Sequence, residues 1–403
     1  MIWLLLVALI LGILAGTITG LTPGIHINLV AFFLLSLLAL GYFSGVSPLV
    51  FVIFIVAMSI VHTFIDFIPS IFLGAPDEDS VLSVLPGHEM LIKGNGYEAV
   101  ILTLYGSVMG VILTLLLTPL FIIFLPRVYD SALTIMPFIL IIASFFLFYF
   151  EKKNRVWAII IFLLAGFLGM ATLNLPLKEP LLPLLTGLFG ASSLITSISK
   201  KQKIVKQKII KLRQIKIKKK SIAKSLFASI VASPLCSFLP GLGSGQAAVI
   251  GSEVTGDLGK KDFLILLGSI NTIVMGLSFV TLYTIQKSRT GSAVAVARIL
   301  EGISLQNLYV ILGTVLISGI FAFFLTLFLA KLFSKHISRV SYNKLSLFIL
   351  IFLSAVILIF SGFLGFLVFV VSTFTGLTCI SVGVRRTHMM GCLLLPTILI
   401  YLL

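Results

Sequence analysis

Apolar runs of about 17 to 25 residues recur along the whole chain, each long enough to cross a hydrocarbon core about 30 Å thick at about 1.5 Å per residue. They predict helices near 1–22, 25–42, 48–67, 97–124, 132–150, 156–174 and 181–198, then 222–239, 245–255, 262–286, 305–333, 344–361, 363–380 and 388–403. Transmembrane strands would need short alternating segments, which the sequence lacks. The pattern is that of an all-α polytopic membrane protein with about ten to twelve transmembrane helices, some of them broken or re-entrant.

Two polar, glycine-rich sequences interrupt this pattern in corresponding places: Leu21-Thr-Pro-Gly-Ile-His-Ile-Asn28 and Leu239-Pro-Gly-Leu-Gly-Ser-Gly-Gln246. Backbone amides and carbonyls find no water in a bilayer, so a broken helix persists only where protein buries it or a wet cavity meets it. Matched breaks in two halves point to a substrate site near the membrane midplane. Proline removes a donor and clashes with the preceding turn, while glycine lets the backbone come close to a ligand. A helix restarting after each break turns free amides and a positive dipole end toward the gap, which suits an anion. The candidate substrate-binding residues are therefore Thr22, Pro23, Gly24, His26 and Asn28 on one side and Pro240, Gly241, Gly243, Ser244 and Gln246 on the other.

The two halves carry further matches. Ser80 to Glu89 aligns without gaps on Ser292 to Glu301, Asn154 on Asn343, and Thr186-Gly-Leu188 on Thr375-Gly-Leu377. Their common order predicts an internal duplication: a first transmembrane repeat over 1–199, a linker over 200–224 and a second repeat over 225–403. Whether the repeats are parallel or inverted stays open. Basic clusters Lys152, Lys153, Arg155 and Lys331, Lys335, Arg339, Lys344 at equivalent positions in the two halves mildly favour parallel repeats by the positive-inside rule.

Composition agrees with the membrane assignment, at 59% hydrophobic and 10% charged residues. The formal net charge of +16 is concentrated, with twelve Lys or Arg and no acid between Lys200 and Lys224. This is the signature of a cytoplasmic loop attractive to anionic lipid headgroups. Ile204, Val205, Ile209, Leu212 and Ile215 give it an amphipathic helical face suited to the membrane surface. No aromatic residue interrupts the run for base stacking, which argues against nucleic acid as a partner. The first twenty residues lack a basic n-region and continue into a motif, so they read as a first membrane helix rather than a signal peptide. Cys236, Cys379 and Cys392 lie in or beside apolar segments without zinc or disulfide spacing.

Polar residues inside or beside the apolar runs are the candidates for chemistry. Residues 69–98 hold Asp77, Glu78, Asp79, His88, Glu89 and Lys93, and their counterpart 286–306 holds Lys287, Arg289, Arg298 and Glu301. If these segments dip into the membrane, Ser80, Ser292 and Arg289 join the substrate site, Arg298 helps balance an anion, and Glu89 or Glu301 is available for coupling. Asp66, one turn after His62, is spaced for a relay or a metal pair. Glu253, Asn271 and Thr272 complete the candidate ion-coupling set, for Na+ or H+. Arg385, Arg386 and His388 form a basic knot read as a topology anchor. No metal site and no other cofactor is indicated. The chain has no nucleophile elbow, phosphate-binding Walker loop or paired-histidine zinc motif, so an enzyme is not expected.

At these motifs the chain resembles the large membrane subunit of tripartite tricarboxylate transporters, the TctA family, in a short archaeal-type form. The likeness rests on Gly16-Thr-Ile-Thr-Gly-Leu-Thr-Pro-Gly24, Pro69-Ser-Ile-Phe-Leu-Gly-Ala-Pro76, Pro86-Gly87, Lys93-Gly-Asn-Gly96, Leu239-Pro-Gly-Leu-Gly243 with Gln246, and Gly383-Val-Arg-Arg-Thr-His-Met-Met-Gly391 before Leu394-Leu-Pro396. It implies an ion-coupled secondary transporter of an organic anion such as a di- or tricarboxylate, located in the cell membrane, with the two Pro-Gly segments forming the substrate site. It also implies a small membrane subunit and an extracytoplasmic binding protein as partners. The chain is shorter than typical bacterial members, and its first break carries His26 and Asn28 where a more serine-rich run is expected. A carrier or flippase of an anionic lipid such as a polyprenyl phosphate is the alternative, since helix-end anion sites suit phosphate equally. A channel or membrane scaffold forms a third class.

Overall fold

The computed structural model describes every residue except 1, 24–26, 40–44, 76–79, 150, 152–153, 200–203, 216, 240–242, 257, 289, 301, 340 and 403. The described residues form helices and connecting segments, with no strand among them. The first half contains α1 (Ile2–Leu21), α2 (Ile27–Ala39), α3 (Pro48–Ile65), α4 (Phe67–Leu73), α5 (Val84–Ile92), α6 (Gly96–Tyr149), α7 (Arg155–Leu173), α8 (Leu181–Leu185), a π-helical turn (Thr186–Ala191) and α9 (Ser192–Ser199). The second contains α10 (Lys219–Phe238), α11 (Ser244–Thr255), α12 (Lys260–Ile285), α13 (Gly291–Leu300), α14 (Leu305–His336), α15 (Tyr342–Val382) and α16 (Gly391–Leu402). Nine helical stretches among the described residues are long and apolar enough to span a membrane. The chain is a multi-pass integral membrane protein.

Two segments expected as separate helices, 97–124 and 132–150, are one helix, α6, with Pro119, Pro126 and Pro137 inside it. No glycine follows Gly110 in α6 to supply a left-handed stop, and prolines in apolar helices bend the axis rather than end it. At about 1.5 Å per residue α6 runs for about 80 Å, more than twice a hydrocarbon core. α15 is divided at Gly362, where φ is 67°, close to the expected boundary.

Tight helix pairs are built on small residues, as is usual where lipid provides no hydrophobic drive to association. A Cβ on Gly16 of α1 would lie 2.4 Å from Met58 O of α3, and one on Gly106 of α6 would lie 2.1 Å from Ile265 O of α12. α12 is the most enclosed of the spanning helices, packed against α6, α10, α3 and α11.

The elements of the two halves follow the same order. α1 and α10 end at the breaks, and α2 and α11 each start six residues later. Next come α3 with α4 against α12, α5 against α13, and the start of α6 against α14. The late helices correspond through mirrored contacts. A Cβ on Gly391 of α16 would meet Phe162 O of α7 at 2.3 Å, as one on Gly187 would meet Phe369 O of α15 at 2.7 Å. Likewise Gly169 of α7 approaches Cys392 O and Gly376 of α15 approaches Leu188 O. α7 is thus equivalent to α15 after Gly362, and α8–α9 to α16 with the turn before it. The sequence matches Asn154 with Asn343 and Thr186 with Thr375 are one helix out of register. Thr186-Gly-Leu188 and Thr375-Gly-Leu377 resemble each other because they are the two sides of one close helix contact, each needing a small residue.

Counterpart helices run antiparallel. Val111 of α6 meets Gly319 of α14, whereas Phe333, further along α14, meets Phe72, which itself packs against Gly96 at the start of α6. In α3 and α12 the crossing falls near Thr63 and Thr272, while the start of α12 pairs through Lys261 with Glu98 near the start of α6. The halves are therefore inverted. The basic residues that favoured parallel repeats do not correspond: Arg155 opens α7, whereas Lys331 and Lys335 lie in α14 and Lys344 in α15; Lys152 and Lys153 lie outside the described residues.

The linker also departs from expectation. Residues 204–211 form no helix, and Val205 and Ile209 are exposed. Gln207 is buried instead, accepting from Gly96 N at 2.8 Å and donating to Leu91 O at 3.0 Å, while Lys208 N bonds Gly94 O. β-Branched residues and closely spaced like charges disfavour a helix there, and the turn before α6 offers the backbone a partner.

Candidate functional site

The centre of the structure is the crossing of α3 and α12. Serine, threonine, histidine and aspartate recur along α3 and α4 at Ser59, His62, Thr63, Asp66 and Ser70, a helical spacing that puts them on one stripe. All five are buried. α3 ends at Ile65 and α4 begins at Phe67, so Asp66 sits at the junction of two helices with its backbone still helical. Asn271 of α12 donates Nδ2–H to Asp66 Oδ2 at 3.0 Å and approaches Thr63 O at 3.5 Å. Thr63 and Thr272 share a hydroxyl contact at 3.3 Å. His62 Nδ1 meets Thr19 Oγ1 of α1 at 3.0 Å. Three of the four expected ion-coupling residues, Asp66, Asn271 and Thr272, thus meet at one buried point. Glu253, the fourth, is half-buried on the last turn of α11.

The helices that lead into the two breaks, α1 and α10, pack against α3 and α12 respectively. At the first, Thr22 returns its hydroxyl to Ile18 O at 2.8 Å, and Thr22 and Pro23 are half-buried at the end of α1, one turn past Thr19. Gly24 and His26 lie outside the described residues, as does the side chain of Asn28. At the second, Pro240 and Gly241 lie outside as well, but the start of α11 is defined. Gly243 N donates to Gln246 Oε1 at 2.8 Å, half of a capping box, so that oxygen of Gln246 serves the helix end. Ser244 and Gln246 are buried, and Gly245 faces the Met390 methyl closely. Thr281 of α12 donates to Ser237 O, holding the end of α10 to α12.

The repeated serines are also buried, and both bond to the α3–α4 stripe. Ser80 meets Ser70 at 2.6 Å, and Ser59 donates to Ser292 at 2.7 Å. α3 and α4 therefore hold the polar segment of each half. Residues 81–92 form a 3-10 turn and α5 rather than a solvated loop, with Val81, Leu82, Ser83 and Val84 buried. Glu89 pairs with Lys260, which occupies it in an ion pair at the start of α12. Arg289, Glu301 and 76–79 lie outside the described residues. Arg298 is exposed and borders a cavity of about 380 Å³ with Leu35, Leu38, Val46, Pro48, Phe51 and Ile299. No group of three or more metal-ligating side chains occurs among the described residues.

The basic knot is not the topology anchor its sequence suggests. Arg386 and His388 are buried, not at the surface as topology anchors would be. His388 Nε2 and Arg385 Nε reach the buried Glu151 Oε2 at 3.0 and 3.4 Å, and Arg385 also donates to Leu147 O. Arg386 donates to Phe189 O at 3.2 Å and to the hydroxyls of Ser192 and Ser193, in and just after the π turn. Helices with such turns often mark functional positions. The stripe Ser59–Ser70 was within reach of a period-3.6 reading, whereas Glu151 is single and lies between two helices.

Helices interrupted at corresponding places and a buried carboxylate where α3 and α12 cross are features of membrane transporters. Residues 6–391 match the tripartite tricarboxylate transporter TctA family, and the chain belongs to that family. It is similar to the uncharacterized protein MJ1079 of Methanocaldococcus jannaschii, with 34% identity over 411 residues, covering 98% of this chain and 99% of the relative. No solved structure matches it.

Proposed function

We propose that this family member is an ion-coupled secondary transporter of an organic anion, a di- or tricarboxylate, held between the two Pro-Gly breaks. The coupling cation, Na+ or H+, is taken up by the Asp66 carboxylate with the oxygens of Thr63 and Thr272. The observation that carries this reading is the Asp66–Asn271 hydrogen bond, which seats an acid where two inverted counterpart helices cross. A buried acid in a membrane protein is costly and is retained for ion or proton handling. Inverted repeats supply the second conformation that alternating access needs, because each half can adopt the arrangement of the other. Family membership supports a small membrane subunit and an extracytoplasmic binding protein as partners. The reading is tested by uptake of labelled citrate and succinate into proteoliposomes holding the purified chain with those subunits. Accumulation against a gradient supports it, and absence of uptake of either acid sinks it.

The cavity beside Arg298 favours a second reading. Among the described residues its lining is apolar apart from Arg298, the chemistry of an anionic lipid's tail and headgroup. Transfer of a polyprenyl phosphate between leaflets, without carboxylate uptake, would select this alternative.

A further inference from the structure

We infer that Arg386 is the cationic seat for a carboxylate of the transported anion. The inference rests on the reading of the chain as an organic-anion carrier and adds the residue that balances the anion's charge.

Arg386 is 7% exposed, and its partners are neutral: Phe189 O, Ser192 Oγ and Ser193 Oγ. No carboxylate among the described residues pairs with it, although Arg385 and His388 beside it share Glu151. A buried guanidinium with neutral partners alone is costly, since its charge is desolvated without an opposite charge to compensate. The three bonds use both Nη1–H groups and one Nη2–H. A guanidinium has five donors, so Nε–H and the second Nη2–H have no acceptor among the described residues. Two such donors on one planar group match the paired oxygens of a carboxylate.

Two further observations on the same turn point to a ligand. Thr387 Oγ1 and His388 Nδ1 are buried and have no hydrogen-bond partner among the described residues. Residues 386–388 thus carry, in succession, polar capacity that the described protein does not fill. The position in the fold agrees with a substrate role. Met390, one turn on, touches Gly245 at the second break, and Arg386 lies close enough to His88 of α5 for its charge to act on that ring. His88 in turn contacts Ser197 of α9 at 3.3 Å. Arg386 therefore stands where the second break, the π turn and the polar segment after Ser80 converge.

The test is citrate binding to the purified full-length chain by isothermal titration calorimetry, with inorganic phosphate as the competing anion. Wild type is expected to bind citrate in preference to phosphate. Arg386→Gln is expected to weaken citrate on the order of 100-fold while the ligand-free melting temperature stays near wild type. Arg386→Lys keeps the charge but loses the fork, and is expected to bind with intermediate affinity; it also serves if the glutamine variant does not fold. Arg385→Gln, at the exposed neighbour, should bind as wild type does. Equal citrate affinity in wild type and either folded Arg386 variant overturns the inference and leaves the carrier reading standing. Failure of wild type to bind either citrate or, titrated in the same way, succinate, or a preference for phosphate over both, overturns both.

Discussion

Asn271 donates its side-chain amide to Asp66 across 3.0 Å, joining helices α12 and α3, which hold the same place in opposite halves and run in opposite directions. That bond puts a carboxylate at the centre of the repeat symmetry, where a change of arrangement in either half alters its surroundings. Uptake and folding should therefore separate at this residue. Asp66→Asn keeps the size and removes the charge, and is expected to reduce transport at least about 100-fold while leaving the melting temperature within a few degrees of wild type. Asn271→Ala should weaken transport less, because the acid remains.

The inverted arrangement predicts the sidedness of equivalent positions. Ser47 precedes α3 and Gly259 precedes α12. Cysteines placed at these two sites should be labelled by a membrane-impermeant maleimide from opposite faces, with Gly259→Cys on the same face as the basic linker. The native cysteines are buried, which keeps background labelling low. Labelling of both from one face would return the repeats to a parallel arrangement.

Helix contact at the α1–α3 interface leaves no room for a side chain at Gly16. Gly16→Val is expected to destabilise the protein by roughly 2 kcal/mol or more through forced separation of the two backbones. Gly313 of α14 is the matched control, since a Cβ there meets nothing within 4 Å. Gly313→Ala should be neutral or stabilising by up to about 1 kcal/mol. Thermal unfolding in detergent measures both, and equal behaviour of the two variants would contradict the packing account.

Removal of Glu151 strips the acceptor from His388 and from Arg385. Glu151→Ala is expected to cost about 1 to 3 kcal/mol of stability, discounted from a fully buried pair because Arg385 is 43% exposed. Loss of thermal stability with unchanged citrate affinity per folded molecule would separate this cluster from the neighbouring Arg386.

Much of the architecture was legible in the sequence because hydrophobicity in a membrane protein is organised by one constraint, the thickness of the bilayer. Helix limits at α3, α10, α11, α12 and α14 fall within a few residues of the apolar runs. The breaks were legible from proline and glycine. Register between the halves was not, because the small residues of Thr186-Gly-Leu188 and Thr375-Gly-Leu377 answer to their mutual contact and not to common position. Nor was the bond between Gln207 and the Gly94–Gly96 turn, since an isolated glutamine in a lysine-rich linker has no periodic signal. Arg386 looked like its neighbour Arg385 in sequence, and only burial distinguishes them.

The central claim, that the chain couples anion movement to a cation held at Asp66, is tested most directly by citrate uptake into proteoliposomes under an imposed Na+ or proton gradient. The account predicts accumulation by wild type that collapses when the driving gradient is abolished, and no gradient-driven accumulation by Asp66→Asn. Uptake by Asp66→Asn with the same gradient dependence as wild type would contradict it.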